Sequence, residues 1–307
     1  MSEQPSSNGH RLPTTIPEYL EQLRAALAGA DPAMIQDALY DAEEYLRSEL
    51  AEQPDKNEAE VIAAVASSYG APEEVAEIYR DTEVKVNRAL RSPPPVRRES
   101  SLGRFFGVIA DPRTYGALFY MLLSLGTGIF YFTWVVTGAS LSAGLLVLII
   151  GIPLLVLFLG SVRLLSLVEG RIVETMLGER MPRRPLYSER GKSWLTRIGE
   201  MFTDGRTWSA LLYFLLMLPL GIAYFTVVVS LMSLSLSLVA SPILYWIGLP
   251  GADIRIGGGI NLLAFPWLAP VIVALGVVLL FATLHVVRGV GKVHGLIAKH
   301  LLVRVPI

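Results

Sequence analysis

The sequence predicts an all-α membrane protein: a small cytoplasmic helical domain followed by a duplicated four-span transmembrane body with interfacial helices. Three observations carry this. Hydrophobic residues make up 52% of the 307 and charged residues only 17%, against roughly a quarter charged in soluble domains, and mean hydropathy is +0.50. Residues 114–162 and 207–252 carry no charge at all, and each run exceeds the ~20 apolar residues that one span needs. One stretch also occurs twice. DPRTYGALFYMLLSLGTGIFYFT starts at Asp111 and DGRTWSALLYFLLMLPLGIAYFT at Asp204, a constant offset of 93 with 14 of 23 positions identical.

Charge is divided along the chain. Residues 1–90 hold 18 acids against 7 Lys/Arg, and residues 91–307 hold 9 against 19. That is the balance of an acidic soluble head on a basic membrane body. Residues 1–13 are polar and expected to be disordered, with no apolar h-region for a cleavable signal peptide. Cysteine is absent, which excludes disulfides and thiolate metal sites.

The head is expected over residues 14–90 as four short helices. Thr15 and Glu18 fit a capping box, and Ile16, Leu20, Leu23 and Leu27 lie on one helical face. Asp31-Pro32 opens a second helix with Ile35, Leu39, Ala42 and Leu46 inward. A third runs from Asn57 through Val61, Ile62 and Val65 to Gly70, and Pro72 opens a fourth with Val75, Ile78 and Tyr79. The pattern YLEQLRAAL…DAEEYLRSEL…EAEVIAAVASSYGAPEEVAEIYR resembles the HAAS-type α-helical signalling domain over about residues 16–81. The resemblance implies a cytoplasmic relay. The acidic cluster Asp41, Glu43, Glu44 is open to two readings, a docking patch or a solvated helix face.

Residues 91–101 form a Pro/Arg linker, with Pro93, Pro94 and Pro95 favouring a stiff polyproline spacer. Leu102, Phe105, Phe106, Val108 and Ile109 then suggest a short interfacial helix, matched by Trp194, Leu195, Ile198, Met201 and Phe202. The first membrane repeat is assigned to 102–189, with spans at about 114–137 and 143–166. The second is assigned to 190–307, with spans at about 207–230 and 264–287. Five spans would split 207–247. Of the 19 Lys/Arg after residue 90, 18 fall on one side if there are four spans, so the positive-inside rule selects four, with both termini cytoplasmic in a bacterial inner membrane. Matching Gly170 to Gly291 gives an offset of 121 at the repeat ends. The second half would then carry an extracytoplasmic insertion at about 232–262, expected as an interfacial or re-entrant piece because Ser233, Ser235 and Ser237 alternate with leucine.

The D-x-R-T-[YW]-x-A-L-x-Y start, the G-I-x-Y-F exit and the E-G-R…L-G tail together resemble the sensor domain family found at the N-terminus of many actinobacterial histidine kinases. The likeness covers nearly all of 104–305, with no kinase core following. It implies a non-enzymatic membrane sensor or signalling adaptor that relays a membrane or envelope signal to a cytoplasmic partner. The alternative is an accessory or regulatory subunit of a membrane complex such as a transporter.

Candidate residues follow from the repeat. Asp111, Arg113, Thr114 and Asp204, Arg206, Thr207 can cap helix N-termini and reach lipid phosphate. They are either anchors or, brought together, one lipid- or partner-binding site. Gly128 and Gly221, with Ser124 and Gly126, offer small faces for helix packing. Tyr120/Tyr131 and Tyr213/Tyr224 are 11 apart, three helical turns, so each pair forms a stripe suited to packing. Arg163, Glu169 and His285 are expected at cytoplasmic span ends. His285, His294 and His300 lack the spacing of a helical metal site. No cofactor, metal or nucleic acid is expected. Membrane lipids, a protein partner and a second copy of the chain are the expected partners.

Overall fold

The computed structural model describes residues 13–90, 101–148, 150–182, 199, 202–251, 253–257 and 259–303. The expected disordered terminus to residue 12, the linker to residue 100 and most of the second interfacial lead-in (Trp194, Leu195, Ile198, Met201) lie outside the described residues. The chain divides into two compact units, one of them built on the residues up to Leu90 and the other on the long apolar helices.

The N-terminal unit contains α1 (Ile16–Ala26), α2 (Pro32–Glu52), α3 (Glu58–Ser68) and α4 (Pro72–Leu90). Side chains cap three of the starts, satisfying otherwise orphaned N–H groups. Thr15 Oγ1 accepts from Glu18 N at 3.3 Å, Asp31 Oδ1 from Ala33 N at 2.9 Å and Asn57 Oδ1 from Glu60 N at 2.8 Å. The Glu18 carboxylate reaches Thr14 rather than closing the box on Thr15. The core joins Tyr19, Leu23, Leu27, Met34, Leu46, Ile62 and Val75. Ile78, expected inward, is 60% exposed. Tyr19 takes an interior position instead, donating its hydroxyl to Gly70 O at 2.8 Å. Two members of the acidic cluster bond within the unit: Asp41 accepts from Tyr79 at 2.8 Å and Glu43 pairs with Arg47 at 2.9 Å.

The second unit begins with α5 (Ser101–Phe106) and a 3-10 turn (Gly107–Ala110). Four long helices follow: α6 (Pro112–Leu145), α7 (Gly151–Leu177), α8 (Gly205–Trp246) and α9 (Ala269–Leu302). Among the described residues, four helices are long and apolar enough to cross a membrane, in line with four spans rather than five. Their boundaries differ from expectation in three places. Residues 137–142, expected as the turn between spans, continue α6, which ends at Leu145 and is followed by turn residues at 146 and 147. Gly138 packs directly on the Phe158 ring and Ser142 is buried, so this stretch is helix packed on helix. Residues 232–246, expected as an interfacial or re-entrant piece, extend α8 without a break. The Ser235 hydroxyl is satisfied by Leu231 O at 2.7 Å. A Cβ on Gly276 of α9 would stand 2.9 Å from Leu238 and Val239, so the extra turns of α8 pack against the N-terminal turns of α9. The second and fourth helices, finally, run to Leu177 and Leu302, well beyond the expected ends at 166 and 287. At 1.5 Å per residue α8 is about 63 Å long, roughly twice a hydrocarbon core.

Between α8 and α9 lies a two-stranded hairpin, Arg255–Ile256 with Ile260–Asn261. Gly259 has φ +89°, a conformation that a side chain would strain. Asp253 is held below its usual carboxylate range by a backbone hydrogen bond and by Arg255.

Candidate functional site

The two Asp-x-Arg-Thr motifs open α6 and α8. Asp111 Oδ1 accepts from Arg113 N and Asp204 Oδ1 from Arg206 N, both at 3.1 Å, so each aspartate caps its helix. The other carboxylate oxygens reach arginines of the second and fourth long helices. Asp111 pairs with Arg288 of α9 at 3.0 Å, and Asp204 pairs with Arg163 of α7 at 3.1 Å. Thr207 also accepts from Arg163 at 3.2 Å, while Thr114 donates to Val108 O at 3.1 Å. Arg206 donates to Leu302 O, the last residue of α9, at 3.3 Å. Arg113 lies beside Gly178, which ends α7 with φ +74°. A cation at a helix C-terminus complements its unpaired carbonyls. Each motif therefore serves as an N-cap, a salt bridge to a distant helix and a cation at a helix end.

Deeper in the bundle α6 and α8 touch backbone to backbone. A Cβ on Gly128 would be 2.5 Å from Met217 O, and one on Gly221 would collide with Ser124 O. Glycine is needed at both positions because only a missing side chain allows this approach. The contacts correspond at the offset of 93: Gly128 to Gly221 and Ser124 to Met217.

That close approach brings the tyrosine stripes onto two ionisable residues. Tyr120 and Tyr213 donate to Glu169 Oε1 at 2.7 and 3.0 Å, and both hydroxyls lie against His294 Nε2, at 2.6 and 3.0 Å. Their hydroxyls are 3.3 Å apart. Tyr131 donates to Glu169 Oε2 at 2.9 Å, and Tyr224 sits 3.2 Å from His294 Nδ1. All four long helices contribute. Glu169 and His294 are both 0% exposed. Each lies eight residues from its helix end, about 12 Å along the axis.

The tyrosines expected to serve packing are thus hydrogen-bonding residues. Glu169, expected at a span end, is interior, and His294, whose spacing from His285 and His300 excludes a helical metal site, is instead a hydrogen-bonding partner of the tyrosines. His285, also expected at an end, stacks on Phe105 of α5 and bonds Phe105 O at 3.1 Å. The contacts give Arg163, Glu169 and Gly170 corresponding places to Arg288, His294 and Gly295, an offset of 125 beside the 121 of the Gly170–Gly291 match. A sequence signal existed for this, V-R-x5-E-G in one half and V-R-x5-H-G in the other. The two glycines make room for the segment after α7: Met181 packs on Gly170 and Glu179 on Gly295.

Hydrogen counting defines what the cluster can do. With Glu169 ionised and His294 neutral, three tyrosines donate to the carboxylate, Nε2–H donates to the Tyr120 and Tyr213 oxygens, and Tyr224 donates to Nδ1. Every polar atom is then satisfied, as a desolvated site requires. Among the described residues no group of three His, Cys, Asp or Glu could hold a metal ion.

No curated protein and no solved structure matches the chain. A sequence model of the family described as "Putative sensor" matches residues 120–302, from Tyr120 through the end of α9, and thus includes the whole cluster. That match covers more than half of the chain, which therefore belongs to this sensor family.

Proposed function

We propose that the protein is a non-enzymatic membrane sensor in which the four-helix unit is the sensing element and the N-terminal helical unit is the output. Sensing is what membership of the family supports. The observation that carries the fuller reading is the Tyr120–Glu169–His294–Tyr213 cluster, to which every long helix contributes a side chain. Ionisable residues inside membrane bundles are costly, about 3 kcal/mol each at mid-span, and are retained mainly where they work. A change in this cluster alters the packing of all four helices at once. The offsets of 93 and 125 in their contacts support a duplicated pair of long helices.

The N-terminal unit, by its likeness to HAAS domains, would pass the change to a cytoplasmic protein partner, with both termini in the cytoplasm. The lead-in supports a mechanical route. α5 is held on α9 through His285 and through Phe105 and Phe106 against Phe281, and α9 also bears His294.

The experiment is hydrogen exchange of the full chain in lipid nanodiscs, comparing wild type with Glu169→Gln and His294→Gln. Amides of residues 16–84 are expected to change protection severalfold while the variants stay folded. Unchanged protection there, alongside a disturbed bundle, would overturn the relay.

A further inference from the structure

We propose that the ligand of the buried cluster is a proton, taken up on Nδ1 of His294. This rests on the sensor reading and names what that site binds.

Geometry leads to this atom. In the fully satisfied arrangement, the carboxylate of Glu169 receives Tyr120 and Tyr213 on Oε1 and Tyr131 on Oε2. Nε2 of His294 therefore holds a hydrogen, directed at the Tyr120 and Tyr213 oxygens, and Nδ1 is the acceptor facing Tyr224. A proton arriving on Nδ1 requires one reversal. Tyr224 turns its own hydrogen outward and accepts from Nδ1–H. Tyr224 is half-buried, unlike Tyr120, Tyr131 and Tyr213, so its hydroxyl is the one with room to turn. The charge of the cluster goes from −1 to zero, with an imidazolium and a carboxylate bridged by two tyrosine hydroxyls.

Other positions fit worse. A proton on Glu169 Oε2 would leave buried Tyr131 with a hydrogen and no acceptor. A proton on Oε1 would require Tyr120 to turn, His294 to change tautomer and Tyr224 to turn as well. The groups facing His294 are Tyr120 of α6, Glu169 of α7, and Tyr213 and Tyr224 of α8. Beyond them, Glu179 lies on Gly295, and Glu174 is buried five residues past Glu169, bonded to Arg171. A single exchangeable proton thus decides whether Tyr224 donates to α9 or accepts from it.

The test is ring-nitrogen NMR of histidine-labelled full-length protein in nanodiscs from about pH 4 to pH 9, which brackets the range of about pH 5 to 8 in which histidines ordinarily titrate. The His294 signals are those lost in His294→Gln. The expected result is an Nε2–H tautomer at the alkaline end that gains a proton on Nδ1 in one transition as pH falls. In Tyr224→Phe, which removes the partner of Nδ1, the midpoint moves by about one pH unit or more. A wild-type His294 that keeps one protonation state over the whole range overturns the proposal, and so does one already protonated on Nδ1 at the alkaline end. The wild-type titration decides even if the variant fails to fold. A silent His294 together with altered head protection in the cluster variants defeats the proton and leaves the sensor reading standing. A titrating His294 with unaltered head protection does the reverse.

Discussion

Glu169 and His294 do not touch each other directly in the hydrogen-bond network; they share two hydroxyls, those of Tyr120 and Tyr213, each within 3.0 Å of both. Side chains from all four long helices therefore meet around two oxygen atoms. Removing an acceptor there leaves buried donors without partners, which costs more than the bond itself contributed.

Tyr131→Phe leaves Glu169 Oε2 without its hydroxyl inside a buried site, and is expected to destabilise the bundle by about 1–3 kcal/mol. Tyr224→Phe, at the half-buried position, is expected to cost less. Unfolding of purified protein in mixed micelles would rank the two, and the opposite order would refute the burial reasoning.

Gly128→Ala and Gly221→Ala drive a methyl into a backbone carbonyl of the facing helix. Each is expected to lose about 1–3 kcal/mol through forced separation of α6 and α8. Gly126→Ala, two residues from Gly128 and facing open space, is expected to be neutral or slightly stabilising. Thermal stability of the three variants in one detergent checks the contrast.

The salt bridges Asp111–Arg288 and Arg163–Asp204 involve arginines 46% and 37% exposed, so each is expected to contribute under about 1 kcal/mol. Their specificity is better tested by exchange. Asp111→Arg with Arg288→Asp should recover the ion pair but not the N-cap that Asp111 supplies, so the double variant is expected to improve on Asp111→Arg by under about 1 kcal/mol. Arg113→Lys and Arg206→Lys serve different helix ends, so their effects should add. A double variant no worse than either single one would indicate that the two arginines act as one site.

The absence of cysteine makes labelling clean. Cysteines placed at Val147, 88% exposed in the turn after α6, and at Gly257 should react from one side of the membrane. One at Ser67 should react from the other, because the basic segments flank the N-terminal unit. Labelling of all three from the same side would refute four spans.

Burial, with a hydrogen bond to Asp41, raises the Tyr79 hydroxyl above its ordinary value of 10.0. The native state holds that proton more tightly than the unfolded chain does. The resulting stabilisation is complete below about pH 10 and is lost as pH rises toward the folded value. A fragment of residues 14–90 carries its own caps and core and is expected to fold as helix when expressed alone. Alkaline melting of that fragment should be shallower in Tyr79→Phe.

Much of the fold was legible along the chain, because the signals are local. Uncharged runs longer than a bilayer is thick, Thr15, Asp31 and Asn57 at helix starts, and the excess of arginine at span ends follow from backbone hydrogen bonding and charge solvation, which each segment meets on its own. The repeat beginning at Asp111 and Asp204 was equally plain, and it carried all four tyrosines. What could not be read was which helix faces which. Residues 137–142 and 232–246 contain turn-like residues and alternation, but packing on Phe158 and Gly276 keeps them helical. α7 and α9 run on to Leu177 and Leu302, so Glu169, expected at a span end, and His294, beyond the expected end at 287, are both interior. Their role depends on a crossing of α6 and α8 that glycines 93 residues apart permit. Burial of a charge is decided by what surrounds it in space, and a tyrosine stripe is packing or a hydrogen-bond cradle according to what the opposite helix presents. The sequence by itself determined four apolar helices, two of them opened by capping aspartates, with arginine near their ends. Only the tertiary structure decided that a glutamate and a histidine, 125 residues apart, meet on the same two hydroxyls.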